Sequence, residues 1–272
     1  LVGSEMCIRD RFTEAMDSAE QHLWKNVTVV PHAPSLSVVV SSMGHGRSQV
    51  SLEHLACFSG GMMALGSRIV PDRRHYLNIA RMTTETCYWG YNSSLTGLGA
   101  EALEFYHPQD KDMYRVVTEA DGTRHRGPPV GDPFVGVRYI WHEDYRNRPE
   151  VIESVLYMWR TTGDPVWQER GWQMFASWMT HCLTRSGTST IYDVNAVPVR
   201  HSDSMESFVL AETFKYYYLL FSPPDLVSLD DFVFSTEAHP FLLPRAGRWA
   251  RAGDVPASFP RVCLLYTSDA AD

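Results

Sequence analysis

Basic residues are scarce in this sequence, and long apolar runs are missing. Its 272 residues include 24 Lys and Arg against 32 Asp and Glu, which gives a net charge of -8. No basic cluster is interleaved with aromatic residues, so nucleic acid is not an expected partner. No apolar run is long enough to span a bilayer, so we expect no direct membrane contact from this segment.

Several familiar motifs are also missing. The sequence has no GxGxxG after a predicted strand, no GxSxG and no HExxH, and it lacks the acidic spacing of an EF-hand loop. These absences argue against dinucleotide binding, an α/β-hydrolase, a zinc protease and an EF-hand. Away from the two ends, the only cysteines are Cys57, Cys87 and Cys182, and none has metal-ligand spacing.

The two ends of the chain differ in character from the rest. Residues 1–11 (LVGSEMCIRDR) and 262–272 (VCLLYTSDAAD) resemble translated sequencing-adapter read-through. We therefore expect 1–11 to be an artefactual flank and 12–242 to be the folded part. We expect 243–272 to be an irregular tail that ends in a second artefactual flank.

The apolar pattern predicts helices joined by short hairpins and loops. The predicted helices cover about 13–23, 53–67, 72–91, 149–162, 165–183 and 204–221. Residues 27–30 and 37–40 are β-branched and are expected to pair as a hairpin, while 122–132 is expected to be a long surface loop. Gly60 and Gly61 indicate close approach of either a neighbouring helix, which is favoured, or a ligand. Without βαβ alternation, the fold class is all-α with minor β hairpins, best built as an α/α barrel.

The segment 147–154 (NRPEVIES) opens a predicted helix with two carboxylates. Asn147 is a good N-cap residue and Glu150 would complete a capping box, so a structural role explains Glu150. The same position also suits a general base, because the helix N-terminus and Arg148 favour the ionised carboxylate. Glu153 lies on the same helical face. Spacing alone leaves both roles open for Glu150.

A second acidic segment opens the last predicted helix. Asp203 and Glu206 have capping-box spacing, so Glu206 also has a structural explanation. Phe208 and Glu212 are four residues apart and share one helical face, as they would in a sugar site or in an ordinary amphipathic helix. Glu206 and Glu212 lie about 120° apart around a helix and need not point to one place.

A turn after this helix carries oxygen donors. Thr236 offers a carbonyl and a hydroxyl oxygen to a hard cation such as Ca²⁺, which takes about 6–8 oxygen ligands. Glu237 is placed to bind waters around such an ion. His54 shares a helical face with Cys57, and a lone helical histidine is more often a core or rim residue than a ligand.

Several segments occur in the same order as in class I α-1,2-mannosidases, which form glycoside hydrolase family 47, and resemble them. Their sequences are most similar to those of the fungal branch. They are HLACFSGGM (54–62), ETCY (85–88), GLGAE (97–101), RPE (148–150), MESF (205–208), AETFKY (211–216) and STEAHP (235–240). The resemblance covers about 12–242, which corresponds to the C-terminal part of the catalytic domain. It implies a partial (α/α)7 barrel, a Ca²⁺ ion and inverting removal of α-1,2-linked mannose from high-mannose N-glycans.

The resemblance also implies roles for individual residues. Glu150 matches the general base, Arg148 and His54 match residues that line the site, and Phe208 matches the ring beneath the mannose. Thr236 matches the residue that binds Ca²⁺. Carboxylates around the waters of the ion and the sugar hydroxyls are matched by Glu153, Glu206, Glu212 and Glu237. The family disulfide is matched by Cys57 and Cys87.

One departure from the family pattern concerns the upstream half of the domain. In the family, that half carries the general acid and a second catalytic aspartate, and no DSYYEY-like segment is present here. Inverting hydrolysis needs two carboxyl groups about 6.5–9.5 Å apart. We therefore expect this chain alone to be an inactive fragment of a protein that is monomeric at full length. Sequons at Asn26 and Asn92 are consistent with a glycoprotein of the secretory pathway.

Two other functions remain open. The first is a non-catalytic, lectin-type member that binds glycans in glycoprotein quality control. The Cys57 and Cys87 pair counts against it, because such relatives tend to lack that bridge. The second is an unrelated α/α-barrel hydrolase in which the glutamates only cap helices.

Overall fold

The structure is a computed structural model that describes residues 2–27, 36–42, 48–105, 116–118, 124–126 and 137–243. Its α-helices are α1 (Val2–His22), α2 (Phe58–Ile69), α3 (Tyr76–Asn92), α4 (Glu150–Thr162), α5 (Val166–Cys182) and α6 (Phe214–Leu220). The 3₁₀ turns His54–Cys57 and Pro71–Arg73 precede α2 and α3, and a π-helical turn, Val209–Thr213, leads into α6. The described part of the chain is therefore mainly helical, as predicted.

Short strands form small antiparallel sheets around these helices. The strands are β1 (Trp24–Val27), β2 (Leu36–Val39), β3 (Ser41–Ser42), β4 (Ser48–Gln49), β5 (Ser51–Glu53), β6 (Ala102–Phe105), β7 (Val116–Thr118), β8 (Arg124–Arg126), β9 (Val137–His142), β10 (Phe232–Phe234) and β11 (Pro240–Leu242). β5, β6 and β9 form one three-stranded sheet, and the others pair as β1–β2, β3–β4, β7–β8 and β10–β11.

The hairpin and loop predictions have mixed outcomes. The expected hairpin forms between β1 and β2, with Val27 paired to Leu36. Part of the expected surface loop at 122–132 is instead β8, paired with β7. The rest of that loop and the tail at 244–272 lie outside the described residues. α1 begins at Val2 rather than near residue 13, and the artefactual origin of 1–11 stays a prediction.

Two glycines let α2 pack closely against α3 and α4. A Cβ at Gly60 would lie 2.4 Å from Thr84 Oγ1 of α3, and one at Gly61 would lie 2.8 Å from the Tyr157 ring of α4. The favoured explanation for these glycines, close helix contact, is therefore confirmed. Their contact places the 3₁₀ turn before α2 next to the start of α4.

A disulfide fixes that 3₁₀ turn in place. Cys57 is bonded to Cys87 of α3, as the resemblance implied, with a Cα–Cα distance of 6.0 Å. The Ser154 hydroxyl of α4 donates a hydrogen bond to the Cys57 carbonyl at 2.6 Å. The turn that carries His54 is thus attached to both α3 and α4. Cys182, at the end of α5, is a buried free thiol, and burial raises its pKa to about 12.

The loops at one end of the helices meet around the N-terminus of α4. α3 ends at Asn92, α4 begins at Glu150 and α5 ends at Cys182, and the loops next to these ends are 93–101, 143–149 and 183–208. Backbone hydrogen bonds join them between Glu101 and Asp144, Thr96 and Val194, and Tyr145 and Ile191. This loop cluster holds the candidate site.

Neither predicted capping box forms. Pro149 is the N-cap residue of α4, and no side-chain cap bond is made there. Asn147 instead has φ 60°, and its amide oxygen accepts a hydrogen bond from Trp178 Nε1 at 2.6 Å. The capping-box explanation of Glu150 is therefore wrong, because a tertiary partner holds the presumed capping residue.

The last helix starts later than predicted. Its regular part begins near Val209 rather than near residue 204, and no side chain caps it. The Thr190 N–H donates to the Ser204 carbonyl, which keeps the preceding segment extended. Glu206 accepts a hydrogen bond from the Ser204 hydroxyl at 3.2 Å, so its expected role in a capping box is also wrong.

Within the described ranges, no helix has the length and apolar character needed to cross a membrane.

Candidate active site

Glu150 occupies the first turn of α4 and faces the turn that precedes α2. Its Oε2 lies 3.0 Å from Nδ1 of His54, and both side chains are buried. The other ring nitrogen of His54, Nε2, lies 2.7 Å from the Tyr91 hydroxyl at the end of α3. Three separate elements therefore meet in a chain of two buried hydrogen bonds.

The direction of these hydrogen bonds follows from the chemistry of the three groups. Burial raises the pKa of Glu150, but the hydrogen bond from His54, attraction to that ring and the charge of Arg148 together outweigh burial and lower the pKa below its usual value. An ionised carboxylate only accepts hydrogen bonds, so Nδ1 of His54 carries the hydrogen. When Nε2 carries no hydrogen, it accepts a hydrogen bond from the Tyr91 hydroxyl. Burial raises the pKa of Tyr91 well above its usual value, which keeps that hydroxyl protonated.

Arg148 lies beside Glu150 and is held from two sides. Its Nε donates to Glu101 Oε2 at 2.6 Å, and the Glu101 side chain is only 9% exposed. Its guanidinium carbon lies 5.9 Å from the centre of the Phe208 ring, within cation–π range. Phe208 and Arg148 thus come together although 60 residues of sequence separate them.

Glu153 and Glu212 add two more carboxylates near Glu150. Burial, together with the charges of Glu150 and Glu212, raises the pKa of Glu153 to about 7, although a hydrogen bond from the Tyr216 hydroxyl at 3.1 Å acts in the opposite direction. Burial also raises the pKa of Glu212 to about 7, with contributions from Glu150 and Glu237. The carboxylates are close enough to repel one another.

The turn between β10 and β11 carries Thr236 and Glu237. Lys215 Nζ donates to the Ala238 carbonyl at 2.9 Å, and the Phe234 ring packs edge-on to Tyr216. These contacts attach the turn to α6, on the side where Tyr216 also binds Glu153. Thr236 and Glu237 are exposed, and the charge of Glu237 acts on Glu212.

The donor groups around this turn suit a hard cation bound partly through water. Thr236, Glu237, Glu212 and Glu153 offer only oxygen atoms, the ligands that Ca²⁺ prefers. A cation nearby would relieve the mutual repulsion of these carboxylates. Within the described residues, the one group of three acidic or histidine side chains with ligand atoms within 4.8 Å is Asp17, Glu20 and His75, which lies elsewhere. Direct coordination at the turn would therefore rest on Thr236.

The structure does not bring Glu206 to the same place as the other predicted site residues. Glu206 precedes the last helix and lines an open groove with Asp144 and Arg146, whereas Glu212 acts on Glu150. Glu206 lies outside the helix that carries Glu212, so the 120° separation expected on one helix does not apply to this pair.

Two residues that the sequence reading left without a role take part in the site. Tyr91 binds His54, and Glu101 binds Arg148; the Glu101 carbonyl also accepts a hydrogen bond from the His54 N–H at 2.9 Å. Glu101 belongs to the GLGAE segment, which gave a signal for its position but not for its task. Tyr91 had no local signal.

Comparison with known proteins finds one matching family and several similar enzymes. The family model for glycosyl hydrolase family 47 matches residues 1–243. A human mannosyl-oligosaccharide 1,2-alpha-mannosidase IC is 35% identical over 251 residues, covering 92% of this chain and 35% of the relative. A probable mannosyl-oligosaccharide alpha-1,2-mannosidase 1B of Aspergillus niger is 33% identical, covering 85% of this chain and 42% of the relative.

A solved structure shows the same fold. An alpha-1,2-mannosidase from Trichoderma reesei superposes with a TM-score of 0.71 at 30% identity, covering 86% of this chain and 47% of that chain. The chain therefore spans between a third and a half of the length of these relatives.

Proposed function

This chain belongs to glycosyl hydrolase family 47, and we propose that it is the C-terminal part of an inverting glycosidase that removes α-1,2-linked mannose from high-mannose N-glycans. The observation that carries the proposal is the buried Glu150 carboxylate, held by His54 beside the Arg148–Phe208 pair. The similarity to mannosyl-oligosaccharide 1,2-alpha-mannosidases supports the choice of substrate.

In this proposal Glu150 is the general base. Its carboxylate takes a proton from water while the water oxygen bonds to the anomeric carbon of the mannose. The bond from that carbon to the departing sugar oxygen breaks, and this oxygen takes a proton from an acid in the upstream part of the protein. The lowered pKa of Glu150 keeps it ready to accept a proton at neutral pH.

Arg148 and Phe208 form the proposed face for the sugar ring. The Phe208 ring offers an apolar surface to the C–H groups of a mannose, and Arg148 offers donors to its oxygens. Glu101 fixes the Arg148 guanidinium, so these donors are oriented before substrate binds. Glu153 and Glu212 would accept hydrogen bonds from sugar hydroxyls or from waters.

We assign the Ca²⁺ site to the β10–β11 turn. Thr236 would bind the ion through its hydroxyl and carbonyl oxygens, and Glu237, Glu212 and Glu153 would bind the waters around it. When bound, the ion would supply positive charge beside the hydroxyls of the mannose. Glu206 is then a residue of the surrounding groove.

The parent protein is proposed to have a complete (α/α)7 barrel, of which this chain forms part, and to be a monomer. Exposed apolar side chains on the last helix support this proposal, because further helices of a complete barrel would cover them. Leu210, Phe214 and Tyr218, at four-residue spacing, are 67%, 43% and 60% exposed. We place the protein in the secretory pathway, in the endoplasmic reticulum or Golgi or secreted. The exposed Asn26 and Asn92 side chains are available for glycosylation there.

Mannose release tests the function. The longer protein that carries this chain is incubated with a high-mannose oligosaccharide, and the anomeric proton signals of the first mannose released are followed by NMR. Inversion at an α-linkage predicts β-mannose first, and the 272-residue chain alone is expected to release none. Glycan binding without any release by the longer protein would instead favour the lectin-type alternative, against which the Cys57–Cys87 disulfide counts.

Chelation tests the metal site separately. Thermal unfolding of the wild-type protein is measured with Ca²⁺ and with a chelator, beside Glu212→Gln and Glu20→Gln. We expect the chelator to lower the melting temperature of wild type and Glu20→Gln but to have little effect on Glu212→Gln. Loss of the effect in Glu20→Gln would assign the ion to the Asp17, Glu20 and His75 group. No effect in any protein would favour glutamates that serve only the fold.

A further inference from the structure

Asn147 directly precedes Arg148 and has an unusual backbone conformation. Its φ is 60°, in the left-handed region, and among the described residues Ala238 is the only other non-glycine residue with a positive φ. Most L-residues disfavour this conformation, although asparagine tolerates it better than most. Pro149 in turn disfavours a helical conformation at Arg148. The conformation of Asn147 therefore determines the direction in which the chain enters Arg148 and α4.

A buried hydrogen bond holds the side chain of Asn147. This side chain is completely buried, and its Oδ1 accepts a hydrogen bond from Trp178 Nε1 of α5 at 2.6 Å. Trp178 is itself completely buried, and its ring stacks on Tyr217 of α6 with the ring centres 5.5 Å apart. The Asn147 amide is thus attached to an indole ring that the core fixes in place.

A second hydrogen bond holds the main chain of Asn147. The Thr213 hydroxyl donates to the Asn147 carbonyl at 2.7 Å, and Thr213 is also completely buried. Thr213 belongs to the π-helical turn before α6 and directly follows Glu212. Asn147 therefore joins the start of α4 to α5 through its side chain, and to the segment that carries Glu212 through its main chain.

The conformation and burial of Asn147 come at a cost to stability. Its Nδ2 is buried and has no hydrogen-bond partner among the described residues. A buried donor without a partner destabilises a fold, and so does a left-handed residue that is not glycine. Backbone strain of this kind is concentrated at functional sites. The two costs together indicate a role for Asn147 in the site beyond packing.

The contacts of the residues after Asn147 depend on the direction it gives to the chain. Arg148 Nε lies 2.6 Å from Glu101 Oε2, and Glu150 Oε2 lies 3.0 Å from Nδ1 of His54. Among the described contacts, the Asn147 side chain binds Trp178 and none of these groups. An effect of Asn147 on Arg148 and Glu150 is therefore carried by the backbone.

We propose that Asn147 is a positioning residue, which holds the backbone in the left-handed conformation that directs Arg148 and Glu150 into the active site. Trp178 and Thr213 hold Asn147 in that conformation. The role rests on the proposed function, since it concerns the placement of the proposed base. Asn147 itself does not contact the sugar.

Substitutions of Asn147 separate this backbone role from packing. Asn147→Leu introduces an apolar side chain of similar size that disfavours the left-handed conformation, whereas Asn147→Gly removes the side chain but favours that conformation. Both variants lose the hydrogen bond from Trp178. Tyr76→Phe is the control for stability, because it removes a buried hydroxyl that binds Asp17 at the end of α3 farther from the site.

Two measurements report on placement rather than on stability. The first is kcat for mannose release by the longer protein, measured below the melting temperature of every variant. The second needs no turnover. It is the NMR signal of the Arg148 Nε–H group in the folded 272-residue chain, which the hydrogen bond to Glu101 shifts and which Arg148→Lys identifies.

Asn147→Leu should lower kcat by about 10²-fold, since a displacement of about 1 Å in an active site can cost that much. It should also move the Arg148 signal. Asn147→Gly should keep most of the wild-type kcat and a signal close to that of wild type. Tyr76→Phe should lower the melting temperature and change neither measurement.

Thr213 provides a second test in case Asn147→Leu does not fold. Thr213→Val removes the hydroxyl that binds the Asn147 carbonyl at nearly constant volume, and Thr213→Ser keeps that hydroxyl. Thr213→Val should lower kcat by about tenfold, through a smaller displacement, and should move the Arg148 signal. Thr213→Ser should resemble wild type in both measurements.

A wild-type kcat or an unchanged Arg148 signal in folded Asn147→Leu or Thr213→Val would overturn the proposal. Equal losses of kcat in Asn147→Gly and Asn147→Leu would also overturn it, because the backbone conformation would then not be the cause. Failure of the proposed enzyme activity gives a different result. In that case the wild-type longer protein releases no mannose, while the Arg148 signal still moves as predicted.

Discussion

His54 Nδ1 lies 3.0 Å from the Glu150 carboxylate, although 96 residues of sequence separate them. Both side chains are buried, so leaving either one without its partner would cost about 1–3 kcal/mol. The Cys57–Cys87 disulfide and the contacts of α2 with α4 hold the two residues at this distance. The proposed base is therefore positioned by the packing of three helices.

Tyr91→Phe tests how His54 is held. The change removes the hydroxyl that donates to Nε2, so we expect the ring to lose its single Nδ1–H form and the protein to lose about 1–3 kcal/mol of stability. Long-range ¹H–¹⁵N NMR distinguishes the ring forms, with His54→Gln assigning the signals. Tyr88→Phe removes a hydroxyl one turn earlier on α3 that binds Gln173, and should leave the His54 signals unchanged. Unchanged His54 signals in Tyr91→Phe would contradict the assignment.

The close contact of α2 with α3 can be tested with one added methyl group. Gly60→Ala would place a Cβ 2.4 Å from Thr84 Oγ1, which is fully buried, so we expect a loss of about 1–3 kcal/mol in urea unfolding. Gly90→Ala is the control within a helix, because its Cβ would meet only the end of the Leu52 side chain at 3.3 Å. It should be close to neutral, since alanine favours the helix. Equal losses in both variants would refute the packing argument.

Removal of the disulfide should destabilise the fold. Cys57 and Cys87 are 30 residues apart, and closing a loop of that size contributes about 3–4 kcal/mol. Urea unfolding of a Cys57→Ala/Cys87→Ala variant should show this loss, and reductant should then have no further effect. Peptide mapping without reductant should recover the two cysteines in one linked pair. Free thiols at both positions would contradict the structure and favour the lectin-type alternative.

Acid sensitivity should arise in part at Asp17 of α1. Hydrogen bonds from Arg73, with Nη2 at 2.7 Å, and from Tyr76 at 2.6 Å lower the pKa of Asp17 to about 2. Because this folded-state pKa lies below the unfolded value of about 3.9, the stabilisation is complete above about pH 4 and is lost as pH falls toward 2. Melting temperature against pH should therefore fall less steeply over that window in Asp17→Asn than in wild type.

The control for this effect is Glu20→Gln. Among the described contacts, the Glu20 carboxylate of the wild type binds only the exposed His75 ring, at 3.1 Å. Its melting curve should keep the wild-type slope between pH 4 and 2. An Asp17→Asn slope equal to that of wild type would show that the Arg73 contact does not persist in solution.

Helix boundaries could be predicted where the local signals were strong. The end of α4 and the start of α5 lie within one residue of their predicted positions. Gly163 adopts the left-handed conformation between the two helices and marks this break. The start of the last helix could not be predicted, since the Ser204 carbonyl accepts a hydrogen bond from the Thr190 N–H and the helix begins only near Phe208. The local capping signals predicted a helix start at this point, but a tertiary hydrogen bond prevents the capping box from forming.

The site shows the same limit. The resemblance identified Glu150, Arg148 and Phe208, and the structure groups them around one end of α4. The partners that orient these residues come from distant positions in the sequence, and Tyr91 carries no local mark of its contact with His54. The local sequence predicted a capping box of Asn147 and Glu150. It could not show that Trp178, which lies 31 residues further along the chain, binds the Asn147 side chain instead.

The most direct test of the account is mannose release by the longer protein with Glu150→Gln, measured beside Glu206→Gln. Both substitutions remove one charge and keep the side-chain size, but only Glu150 contacts His54. We predict that Glu150→Gln lowers kcat by about 10²–10⁴-fold, as expected for loss of a general base. Glu206→Gln should act mainly on KM. Mannose release by Glu150→Gln at a rate close to wild type would contradict the account.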